Sequence, residues 1–324
     1  MTLEPNSAMD PEDQKRDAPK ASAAKPAGAG TGAPLSRLVD AAPRPPLGAT
    51  GGRSGSEPDA DLNADLALVR RIEALAFRAW PAATSFYDGS WLVRLTAGHP
   101  SRRLNSINPL DRMDAAGIEG RVARLSHRFS AYDREPTFRR TPLAPPALFD
   151  WLDEREWETE GETRVLVADA ARLPTDEALD RVPLGDVGLF VEAALAVRPR
   201  DMRYKSGLTE VLTAIHPPKG MFTLHENGAP AATALCVHDG DFAGLFEVAV
   251  REDRRGRGLG RAVTLAAMRW ARLRGATRFW CQVEADNRPA SALYAAMGLE
   301  ERYRYHYRTA PRAGGGTERI EELI

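Results

Sequence analysis

Arg255-Gly256-Arg257-Gly258-Leu259-Gly260-Arg261 is the stretch on which the reading of this chain turns. An apolar run, Gly244 to Val250, precedes it and ends in the alternating Phe246, Val248 and Val250, which predicts a strand. Leu259, Val263, Ala266, Trp270 and Leu273 follow at helical spacing. Strand, glycine-rich turn, helix is an anion-binding layout. Glycines let the backbone approach the anion, and the N–H groups at the helix start point at it with the help of the helix dipole. Arginines add charge-assisted contacts.

Two nucleotide loops fail at a defining position. A Walker loop needs Lys and then Ser or Thr after its last glycine, where this chain has Arg261-Ala262. The dinucleotide fingerprint, counted from Gly256, needs Gly or Ala at 261 and meets Arg261. The pattern that fits is R-x-x-G-x-G, carried by Arg255, Gly258 and Gly260. Further on, Phe279, Cys281 and Val283 alternate with Trp280, Gln282 and Glu284, which predicts another strand. Asp286-Asn287-Arg288-Pro289 then turns the chain, with Pro289 suited to a first helical position. A helix through Leu293, Tyr294 and Met297 should stop at Gly298.

The two stretches together resemble the GNAT superfamily of N-acetyltransferases. The first is similar to its acyl-CoA pyrophosphate loop. The second is similar to its N-x-x-A-x-x-L-Y-x-x-x-G segment, through Asn287, Ala290, Leu293, Tyr294 and Gly298. The resemblance covers roughly residues 186–310 and implies a mixed, mostly antiparallel α/β (α+β) sheet flanked by helices. It implies an acyltransferase that moves an acetyl group from acetyl-CoA to an amine. In the family, the strand before the loop splays from its neighbour, and its free backbone pairs with the pantetheine. Here that strand holds Val248, Ala249 and Val250, while Arg255, Gly256, Arg257, Gly258, Leu259, Gly260 and Arg261 would hold the pyrophosphate. Tyr294 stands where many members donate a proton to the CoA sulfur; packing at a helix–sheet boundary would also explain it. Asn287 would contact the cofactor or cap its helix. Some relatives carry a glutamate five residues before the asparagine, where this chain has Gln282. Glu247 and Glu284 remain as candidate bases, though a solvated or paired carboxylate explains each more simply, and a water chain or an amine arriving already neutral would make a dedicated base unnecessary.

Composition narrows the alternatives. A formal net charge of −1 argues against a nucleic-acid partner. Cys236 and Cys281 lie in apolar runs as small core residues of a reducing compartment, without metal-ligand spacing. Neither a signal peptide nor a membrane-length apolar stretch is present, so a cytoplasmic protein with no metal and no membrane partner is expected.

Residues 1–62 contain no Phe, Trp, Tyr, Ile or Cys and read as a disordered tail, with 311–324 as a second tail. Residues 66–185 read as a smaller α/β domain. It is either unrelated to the second domain or a diverged copy of its fold that lacks R-x-x-G-x-G. Expected elements there are a helix from Leu66 to Trp80, strands at Trp91–Leu95, 104–107 and Arg164–Ala168, an extended Thr137–Arg140, and helices over Met113–Phe129 and through Leu148 and Leu152. In the 186–310 domain, Leu189–Val197 reads as a strand, Arg200–Ile215 as a helix, and Met221–Val237 as a hairpin about Asn227-Gly228. The acceptor stays open among small-molecule amines, peptides and proteins. An acyl-CoA-binding regulator or a scaffold without turnover is the alternative function.

Overall fold

Apolar residues on both phases of a period-two pattern require a sheet covered on both faces. The computed structural model, which describes residues 58–311 except 179 and 201, has such a sheet. The element order is α1 (Pro58–Ala79), β1 (Thr84–Asp88), β2 (Trp91–Leu95), β3 (Ser106–Pro109), α2 (Ile118–Ser130), β4 (Thr137–Arg140), α3 (Pro146–Asp153) and β5 (Glu158–Asp169). Then come α4 (Val187–Val197), α5 (Met202–Ala214), β6 (Lys219–Glu226), β7 (Ala229–Asp239), β8 (Phe242–Val250), α6 (Leu259–Arg272), β9 (Arg278–Glu284), α7 (Arg288–Ala296) and β10 (Glu300–Thr309). Among the described residues all ten strands form one sheet, in the order β1-β2-β3-β4-β10-β5-β9-β8-β7-β6.

The order helix, three antiparallel strands, helix, parallel strand, helix, strand is traversed twice, the second time opening with two helices, α4 and α5. β4 lies parallel to β3, and β9 parallel to β8. The last strands are exchanged: β10 pairs with β4, β5 pairs with β9, and β5 and β10 pair with each other. The expected boundary near 185 therefore does not separate two sheets. Which strand covers the free edge of β4 or β9 is decided by pairing between distant segments, which local periodicity does not encode.

Alternation sorts the core. Val165, Val167, Leu235, Val237 and Trp280 pack on one face with α1, α4 and α5. Leu166, Ala168, Ala234, Cys236, Phe279 and Cys281 pack on the other with α6 and α7. A third cluster joins Trp91, Val93, Ile107 and Phe138 to α2 and α3. α1 docks through Val69, Ile72, Leu75 and Ala76, and burying each of its larger side chains contributes about 1.5–3 kcal/mol. Its Glu73, 1% exposed, is held bidentately by the equally buried Arg139 of β4 and accepts from Tyr303 Oη at 2.6 Å. Both cysteines are free and buried, and burial pushes their thiols well up.

Three local expectations change. Leu189–Val197 is not a strand but part of α4. Asp186 caps it by accepting from Leu189 N, and Phe190, Val191, Ala193, Ala194 and Val197 bury a helical face. α2 starts at Ile118 rather than Met113, because Gly117 takes the left-handed conformation at the N-cap. Leu273 falls just past α6 and is exposed, off the buried helix face. Of the expected tail, 58–62 begin α1; the rest of 1–62, and 312–324, lie outside the described residues. Among the described residues no helix is long and apolar enough to cross a membrane.

Candidate active site

The site is an opening in the sheet. β8 and β9 pair in parallel from Phe242↔Arg278 to Leu245↔Cys281 and then part. On its other side β8 stays on β7 through a register shift, after which Thr233 pairs with Ala249 and Ala232 with Val250. Glu247 sits in that bulge with φ of 45°, a conformation rare for a residue with a side chain. Thr233 Oγ1 donates to its carbonyl at 3.1 Å. From Phe246 to Val250 the backbone has no ladder partner on the β9 side.

Below the opening lies a cleft of about 470 Å³. Val248, Ala249, Val250, Arg255, Gly256, Gly258, Leu259, Gly260, Arg261 and Asn287 all line it. Gly256 and Gly258 take φ of 75° and 78°, where other residues are strained, and Gly258 is the N-cap of α6 with no side-chain cap. The first N–H groups of α6 therefore keep their donors for a ligand. Arg255 donates to the Val250 carbonyl at 3.4 Å, and Arg261 pairs with Glu177 at 3.0 Å. Arg257 departs from expectation: it is not in the cleft lining and pairs with Glu226 at 3.4 Å. Arg198 and Arg254 are lining residues that the motif reading did not include, and Leu293 and Ala290 of the second motif line it too. Burial, and then Arg200, lowers the Arg198 guanidinium to about 10, so it is charged at neutral pH.

A second, narrower pocket of about 70 Å³ shares Val248, Asn287, Ala290 and Tyr294 with the cleft. Tyr294 is 6% exposed, and burial raises its phenol well above the ordinary value, so it keeps its proton at neutral pH. Asn287 caps α7 by accepting from Ala290 N at 3.1 Å, so it is a cap as well as a cleft residue. Glu247 and Glu284 both line the narrow pocket. Glu247 accepts from Tyr204 Oη at 3.1 Å and faces Arg200 at 3.5 Å, so it is a paired carboxylate. Gln282 accepts from Tyr305 Oη at 3.1 Å.

The rest of the pocket comes from segments in which the sequence showed no site. Trp80 follows α1 and stacks on Phe246 at 5.4 Å. His99, Ser101 and Arg103 lie between β2 and β3. His99 is 2% exposed; burial, then Arg200 and Arg134, lower its pKa to about 4, so the ring is neutral at pH 7. Its Nδ1 accepts from Ser101 N at 3.2 Å, which leaves the proton on Nε2. No spacing in the chain marks these residues; sheet continuity alone brings them to the opening. Among the described residues no group of His, Cys, Asp and Glu could hold a metal.

The loop, the splayed strands and the shared tyrosine define an N-acetyltransferase of the GNAT class, and solved structures agree on the fold. A GCN5-related N-acetyltransferase from Kribbella flavida superposes with a TM-score of 0.58 at 19% identity, over 76% of this chain and 96% of that one. One from Sphaerobacter thermophilus gives 0.51 at 15% identity, over 78% and 92%. The chain belongs to the family described as probable histone acetyltransferase Rv0428c C-terminal, which matches residues 66–308. It is also similar to the uncharacterized N-acetyltransferase YobR of Bacillus subtilis, at 24% identity over 74% of this chain and 98% of that protein. The [ribosomal protein bS18]-alanine N-acetyltransferase of Escherichia coli is 39% identical over 80 residues, a quarter of this chain and 54% of that protein.

Proposed function

We propose that this acyltransferase moves an acetyl group from acetyl-CoA to a primary amine by direct attack in a ternary complex. The observation that carries the reading is the position of Tyr294 in the walls of both the loop cleft and the narrow pocket. The α6 N-terminus with Arg255 and Arg261 would hold the pyrophosphate, and the unpaired backbone of Val248 and Val250 the pantetheine amides. The amine would enter the narrow pocket. As its nitrogen bonds to the thioester carbon, the carbon–sulfur bond breaks and the sulfur takes the Tyr294 proton. An arriving ammonium, drawn in by the negative charge of Glu284, gives its first proton to solvent and attacks as the neutral amine; the proton released on attack goes to Glu247, whose carboxylate Arg200 and Tyr204 hold in place. The named relative is described as acting on an alanine of ribosomal protein bS18, and the matched family's description names histones, which supports an amine acceptor.

We read the first repeat as a copy of the same fold without an acyl-CoA site, its last strand and its 80–103 segment serving the second. The test is calorimetric titration with acetyl-CoA, followed by thiol release across an amine panel. Binding with amine-dependent release supports the proposal. Binding without release from any amine would favour the regulator reading, and absence of binding would overturn both.

A further inference from the structure

The narrow pocket has a cationic back wall. Behind it, sharing Trp80, Arg103, Phe246 and Gln282, lies a cavity of about 10 Å³, room for about one water, which Arg94 and Arg139 also line. Arg139 is paired with Glu73. Arg94 spends its bonds on the carbonyls of Trp80 and Arg103, and Arg103 donates to Tyr305 Oη at 3.2 Å. Among the described residues neither Arg94 nor Arg103 has a carboxylate partner, so three arginines face one glutamate. The donors are also incompletely used: Arg103 Nη2, Arg139 Nε and His99 Nε2 are buried without an acceptor. Arg94 and Arg139 are each 3% exposed. Buried charge without compensation is costly, and an unpaired N–H adds the full desolvation penalty of that group. Glu247 and Glu284 line the same narrow pocket. Guanidinium and imidazole N–H donors and two carboxylates thus line one pocket, and Arg200 already compensates Glu247.

We infer that the acceptor is a small amine that also bears a carboxylate a few bonds from its nitrogen, with Arg103 and the His99 Nε2–H gripping the carboxylate. This rests on the acyl-transfer reading of the same pocket. The carboxylate would lie against Arg103 and the ammonium toward the carboxylates that line the same pocket. A lysine side chain or a peptide N-terminus carries no carboxylate of its own there and would leave the donors unpaired. Sites built around such donors discriminate strongly against analogues that lack the matching group.

The experiment compares glycine, β-alanine and γ-aminobutyrate with their amides as acceptors for the unaltered protein, by thiol release from acetyl-CoA. Alongside it, propionate is titrated calorimetrically into the CoA-bound protein. The acids should exceed their amides by about 100-fold in kcat/KM, and propionate should bind. Arg103→Met should erase both differences while acetyl-CoA affinity stays unchanged; Arg103→Lys should restore part of them. The inference is overturned if the amides are used as well as the acids, or if folded Arg103→Met keeps the preference. If every amine fails to release thiol, the acyl-transfer reading fails separately. Propionate binding that Arg103→Met abolishes would then still support the anion grip, and no propionate binding would sink it.

Discussion

The two repeats turn the same corner with opposite chemistry. In each, the third strand leads through a loop to a helix whose N-cap is a left-handed glycine without a side-chain cap: Gly117 at φ 63° before α2, Gly258 at φ 78° before α6. Around Gly117 the loop neutralises itself. Asp114 accepts from Ser90 N and Oγ at 2.8 and 2.7 Å and pairs with Arg121 at 2.8 Å, while Arg121 also pairs with Asp88 at 2.9 Å. Around Gly258 the loop carries arginines, and among the described residues Arg255 makes no ion pair. A left-handed glycine opening a helix is therefore not enough for an anion site. The charge left over after internal pairing decides whether the N–H groups of that helix have an anion to bind.

Placing a carboxylate at both corners tests that difference most severely. Gly258→Asp should lower acetyl-CoA affinity by about a thousandfold through repulsion at the pyrophosphate site. Gly117→Asp should leave that affinity unchanged and cost about 1 kcal/mol of stability, since Asp tolerates this conformation better than most residues. Calorimetry and thermal unfolding of both variants would show it; equal losses of affinity would end the comparison.

Tyr294→Phe addresses the next element along, since α3, which precedes the last strand of the first repeat, has no tyrosine. Removing the hydroxyl should lower kcat by about 100-fold or more. If only the chemical step suffers, kcat/KM falls alike and acetyl-CoA affinity holds. Turnover near that of the unaltered protein would make Tyr294 a packing residue.

The repeats meet at Gly207 of α5, where an added Cβ would lie 2.2 Å from the Gly98 carbonyl oxygen. That close approach sets His99 against Tyr204, with ring centroids 4.7 Å apart. Gly207→Ala should cost about 1–3 kcal/mol of stability. It should also raise the acceptor KM, because the loop from the first repeat must move, while acetyl-CoA binding is spared. An unchanged KM would mean that the loop does not shape the acceptor pocket.

The smallest effect belongs to the neutralised corner. The hydrogen bond from Arg121, then those from Ser90, lowers the Asp114 carboxyl from 3.8 to about 2. A depressed folded pKa stabilises above the unfolded value and loses that contribution as pH falls from near 4 to near 2. Asp114→Asn should cost about 1 kcal/mol at pH 7. Its deficit should shrink towards pH 2, with cofactor affinity unmoved throughout. Thermal unfolding at both pH values checks this, and a deficit independent of pH would refute the linkage.

Legibility followed range. Gly256, Gly258, Tyr294 and Asn287 were readable because each acts within a few residues of chain: a turn, an N-cap, a helix position. Leu189–Val197 misled because a short apolar run has no decisive period, and Asp186, its cap, lay outside the run. Arg257 misled for another reason: alternate residues in a tight loop point apart, and Glu226 captured it. His99, Arg103 and Trp80 could not be found at all, since each reaches the pocket by strand order rather than by spacing.

The sequence by itself determined the strand, glycine-rich loop and helix, and the alternation that demanded a sheet covered on both faces. Those are local matters of φ, hydrogen-bonding groups and side-chain period. Only the tertiary structure decided that β5 and β10 change places, that one sheet spans both repeats, and that the 80–103 segment walls the narrow pocket. Those outcomes depend on which distant edge a strand covers and which buried charges find partners. Pairing and desolvation of that kind involve residues far apart in the chain, and no window of sequence contains both sides of the contact.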